Sequence, residues 1–78
     1  MKATEAMGLI REGKGLKLSV IGSRLGMTER NELNALAKRF SQENISVSLL
    51  NQMLRAMDYK VIVVPCDSRI PEGRYEVD

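Results

Sequence analysis

Arg30, Asn31, Asn34 and Lys38 fall on one side of a helix that the spacing of Leu33, Leu36, Ala37 and Phe40 predicts over residues 29–41. A guanidinium fits the O6 and N7 acceptors of guanine, and a carboxamide fits N6 and N7 of adenine, so this polar face suits the floor of a DNA major groove. Ala35 beside them leaves room for close approach. An exposed helix face also carries polar residues without any ligand, so both readings stand at this level. Other chemistry is thin. Glu29 and Glu32 could be imagined as an acid and base pair, but with no histidine and no metal set they are better read as carboxylates at the positive end of a helix dipole, where they would also repel phosphate. Lys14 between Gly13 and Gly15 lacks the Walker spacing and follows a helix, which makes it a turn. Cys66 stands between Pro65 and Asp67 with no histidine to activate it. No catalytic residue, metal site or cofactor is expected, and the chain reads as a non-enzyme.

The elements that must position this face follow from periodicity. Ala3, Ala6, Met7 and Ile10 predict a first amphipathic helix over 2–12, closed by Gly13 and Gly15. Leu18, Ile21 and Leu25 predict a second over 18–25, stopped by Gly26, with Thr28 placed to cap the third. Gly22 costs about 1 kcal/mol in mid-helix, a loss that close packing against the next helix would explain. Two helices across so short a break make a helix-turn-helix. Ser46 caps a fourth helix over 47–57, whose apolar stripe is Val47, Leu50, Met53, Leu54 and Met57.

At Tyr59 the period changes. Val61 to Val64 is a β-branched run ended by Pro65, Asp67 to Gly73 reads as a loop, and Arg74 to Val77 alternates as a second strand would. The expected fold is therefore mainly α, a four-helix helix-turn-helix domain over 1–58 followed by a C-terminal β-hairpin over 59–78, in one domain overall. A lone hairpin is marginal in water, and a free β-branched edge invites pairing. Homodimerisation through Val61, Ile62, Val63, Tyr75 and Val77 is the expectation.

Length and composition agree with a small helical module. In 78 residues there is room for one core, and 44% hydrophobic residues with 4% aromatics leave Leu, Ile, Val and Met to fill it. One cysteine and no histidine exclude an internal disulfide and a Cys/His zinc site, leaving oligomerisation as the available staple. The formal charge of +2 is unevenly spread: residues 1–27 hold +3, residues 28–41 hold +1 and the remainder holds −2. No apolar run approaches the roughly 20 residues of a membrane span, and no signal-peptide core is seen, so a cytoplasmic protein is expected.

Leu16, Ile21-Gly22, Leu25-Gly26-Met27-Thr28 and the later ENISVSLLNQMLRAMDYKVIVV resemble helix-turn-helix proteins of the lambda-repressor and Cro type, in a small phage or mobile-element style. The resemblance spans about residues 2–58. It implies a dimeric, operator-binding transcriptional regulator with the helix after the Gly-containing turn in the major groove, so Thr28, Arg30, Asn31, Asn34 and Lys38 would read bases. Lys14, Lys17, Arg24 and Arg39 would hold phosphates. Two departures stand out: Lys17 replaces a polar cap, and the reading helix is about one turn, roughly four residues, too long. With that turn at the helix start, contacts slide toward Asn34, Ala35, Lys38, Arg39 and Gln42. The alternative function is a protein-interaction module on the same fold, antitoxin-like or an assembly partner, with no DNA contact.

Overall fold

The computed structural model describes residues 1–78 and contains four helices: α1, Ala3–Lys14; α2, Leu18–Arg24; α3, Arg30–Arg39; and α4, Val47–Arg55. Three of them end in the same way. The backbone beyond α1, α2 and α4 turns left-handed at Gly15 (φ +61°), Gly26 (φ +72°) and Asp58 (φ +66°). Each turn lets two N–H groups return to the last carbonyls: Leu16 and Gly15 to Arg11 and Glu12, Met27 and Gly26 to Gly22 and Ser23, Tyr59 and Asp58 to Leu54 and Arg55. This satisfies carbonyls that the helix itself leaves free. Glycine takes that conformation without penalty, whereas Asp58 does so with a side chain.

The helix starts use side chains less uniformly. Ser46 Oγ accepts from the Leu49 N–H at 3.1 Å, as its sequence position predicts. Thr28, expected to open α3, does not cap it. Glu29 holds the cap position, and its N–H donates to Glu32 Oε1 at 3.1 Å. α3 therefore starts one residue later than expected and ends at Arg39, two residues short of 41.

α1 packs on α4, and α2 packs on α3. Between the two pairs lies a core in which Met7, Ile21, Leu36, Met53 and Met57 are fully buried, with Ile10, Leu50, Leu54 and Ala56 around them. Methionine supplies three of the five innermost side chains, filling an irregular space that the scarcity of aromatics leaves open. Two expected core positions are not in it. Ala37 is exposed on α3, and Val47 is 68% exposed at the start of α4.

The C-terminal β-hairpin expected over 59–78 is absent: the chain has no strand and no sheet. Part of the two arms' pairing capacity is engaged elsewhere or missing, while the peptide groups of Ile62, Val63 and Val64 make no hydrogen bond within the chain. The Val61 N–H donates to Asn51 Oδ1 on α4 at 3.2 Å, Pro65 and Pro71 have no N–H, and the Asp78 N–H donates to the Met1 carbonyl at 2.9 Å. Instead the tail runs out and back over α1 and α4, held where Tyr75 meets Tyr59 with ring centroids 6.2 Å apart. The hairpin-mediated dimer loses its element with it. Of the residues expected there, Val61 is half-buried against the core, and Ile62, Val63, Tyr75 and Val77 are exposed on irregular backbone.

Candidate nucleic-acid interface

The position of α3 is set by the missing side chain at Gly22. A Cβ at that position would meet the Met27 carbonyl oxygen at clashing distance and Leu33 Cδ2 at 2.6 Å. α3 thus lies directly on the α2 backbone, and Leu33, Leu36 and Phe40 turn toward the core. The opposite face follows geometrically. Arg30, Asn31, Asn34 and Lys38 are all exposed, as is Thr28 just before the helix, and none of these side chains takes part in an ion pair. Ala35 and Ala37 are exposed at its two margins, so long polar side chains are flanked by two short ones. Nothing in the chain covers it.

The cations expected to hold phosphate divide differently. Lys17, at the cap of α2, is exposed and unpaired. The other three turn to the protein itself. Lys14 Nζ lies 3.4 Å from Asp58 Oδ2 and 5.6 Å above the Tyr59 ring. Arg24 Nη1 donates to the Ala56 carbonyl at 2.7 Å and lies 3.7 Å from the same Asp58 oxygen. Arg39 Nη1 reaches Met53 Sδ at 3.7 Å. The C-terminal ends of α1, α2 and α4 therefore meet around Asp58, and the two cations there offset the partial negative charge of three helix ends.

Asp58 and Arg11 have roles that the sequence did not disclose. Arg11 donates through Nε to the Leu16 carbonyl at 3.0 Å, and its guanidinium sits 5.2 Å from the centre of the Phe40 ring. Each is a contact between separate elements, which helical periodicity does not encode. The only local signal at Asp58 is the end of the α4 pattern.

Elsewhere no group of His, Cys, Asp and Glu is arranged to hold a metal, and Cys66 is a free, exposed thiol. No helix is long and apolar enough to cross a membrane. An open cleft of about 990 Å³ separates the tail from α1 and α4, with Ala6, Ile10, Leu50 and Leu54 on its helical wall. Compared with known proteins, the chain matches no family model, no curated protein and no solved structure.

Proposed function

We propose that this chain is a sequence-specific DNA-binding regulator of transcription acting in the cytoplasm, related to the lambda-repressor and Cro type, that offers the outward face of α3 to the major groove. One observation carries the reading: Arg30, Asn31, Asn34 and Lys38 share one uncovered helix face, with the short side chains of Ala35 and Ala37 at its two margins. Their donors and acceptors are free for base edges. Lys17 joins them as the phosphate contact, because its ammonium has no partner in the chain.

A second reading has its own observation. Lys14, Arg24 and Arg39 are engaged internally, which leaves fewer cations for a phosphate backbone than DNA binders commonly use. That favours a protein-interaction module on α3. A salt titration with mixed-sequence duplexes separates the two. DNA binding predicts an affinity that falls steeply as salt rises, and no binding even at about 50 mM salt leaves the protein-interaction reading in place.

A further inference from the structure

We propose that the cleft between the tail and the α1–α4 pair binds an amphipathic anion, a single alkyl chain ending in a carboxylate, with the alkyl chain against the helices and the carboxylate among the cations that line the cleft. The proposal is independent of what the face of α3 binds. Ten large apolar side chains are exposed in this protein, and six of them, Ile62, Val63, Val64, Ile70, Tyr75 and Val77, line this one cleft. Across from them Ala6, Ile10, Leu50 and Leu54 form a wall of aliphatic side chains. Apolar surface gathered in this way marks a binding site. Its volume of about 990 Å³ lies at the upper end of the range of small-molecule sites, roughly 300–1,000 Å³.

Charge selects the occupant. Arg55, Lys60, Arg69 and Arg74 line the same cleft, and none of these side chains makes an ion pair or donates a hydrogen bond within the chain. Of the two carboxylates there, Asp58 is already held by Lys14 and Arg24, which leaves Glu76 alone against four cations. The tail wall adds the peptide N–H groups of Ile62, Val63 and Val64, which have no acceptor in the chain. A neutral hydrocarbon would leave these donors unanswered, and a second copy of the same surface would set its own four cations against these four. An anion with an apolar body satisfies both the walls and the charge, and a carboxylate matches the fork of a guanidinium.

The protein carries its own reporter, because it has no tryptophan and its two tyrosines, Tyr59 and Tyr75, both line the cleft. The test is to titrate tyrosine fluorescence with dodecanoate below its micelle concentration, at about pH 8, where the carboxylate is ionised. Decanoate, dodecyltrimethylammonium and phosphatidylglycerol vesicles are titrated beside it. Dodecanoate should saturate the signal at one molecule per chain. Decanoate, shorter by two methylenes, should bind about tenfold more weakly, and the ammonium with the same alkyl chain at least about tenfold more weakly. Arg69→Gln combined with Arg74→Gln should weaken dodecanoate binding about tenfold, as should Ile70→Glu, which sets a carboxylate in the apolar wall. All three side chains are exposed, so helical circular dichroism should stay unchanged. The absence of a saturable response, or uptake of several molecules per chain, overturns the proposal. Equal affinity for the ammonium, indifference to alkyl length, or undiminished binding in either variant does so too. Binding to the vesicles without binding of free dodecanoate assigns the surface to a membrane and equally overturns it.

Discussion

The guanidinium of Arg24 donates to the carbonyl oxygen of Ala56 at 2.7 Å, tying the last turn of α2 to the end of α4. A hydrogen bond from a charged donor contributes about 1.5–3 kcal/mol when shielded, and less at a half-open site such as this one. Arg24→Ala should lower stability by about 1–2 kcal/mol in urea unfolding. Arg24→Lys should recover only part of that, because a shorter, more strongly hydrated ammonium does not reproduce the guanidinium whose Nη1 meets both Ala56 and Asp58. An unchanged midpoint for Arg24→Ala would show that the bond contributes nothing in solution.

Gly22 sets two effects against each other. Alanine gains about 1 kcal/mol over glycine inside a helix. Its methyl group would also press on the Met27 carbonyl and on Leu33, and backbone cannot step aside as a side-chain tip can. Overpacking of this kind costs about 1–3 kcal/mol or more, so the net effect of Gly22→Ala should be destabilising. A denaturation midpoint equal to or above that of the unaltered chain contradicts the close approach of α3.

Asp58 combines a left-handed backbone with two ion pairs. Asn tolerates that backbone and Ala does not, a difference of about 1 kcal/mol. Asp58→Asn and Asp58→Ala lose the same exposed pairs to Lys14 and Arg24, together worth about 1 kcal/mol or less. Thermal unfolding should therefore rank the unaltered chain above Asp58→Asn and Asp58→Ala lowest. Equal melting temperatures for the two variants would remove the backbone contribution.

On DNA, the two sides of the proposed contact should respond differently. Asn34→Ala should relax preference at one base pair, by about 1–3 kcal/mol of discrimination, in competition assays with point-substituted duplexes. Lys17→Ala should weaken every duplex alike and reduce the salt dependence by about one phosphate. If both variants lose affinity equally on all sequences, α3 does not read bases.

Much of the fold was legible because helices announce themselves locally. The intervals among Met7, Ile10, Ile21, Leu36, Leu50, Met53 and Leu54 located all four, and Gly15, Gly26 and Ser46 located three of their ends. What failed was of two kinds. Thr28 lost the cap to Glu29 because Glu32 stands three residues further on and can reach back to it. The hairpin failed because strand propensity names residues able to pair, not the residue they meet, and Asn51 on α4 took the first N–H. The exposed face of α3 was readable from polarity alone. The fate of Lys14, Arg24 and Arg39 was not, since their partners at Asp58, Ala56 and Met53 lie 14 to 44 residues away in the chain.

Arg11, Arg24 and Arg39 each cross from the α1–α4 pair to the α2–α3 pair, one to Phe40, one to Ala56 and one to Met53. Such contacts loosen more readily than interlocked aliphatic side chains when solvent reaches them. Amide exchange under native conditions should accordingly release α2 and α3 as one cooperative unit, ahead of α1 and α4. The part of the molecule that presents Asn34 and Lys38 would then separate as a unit, Ile21 and Leu36 leaving the shared core with it.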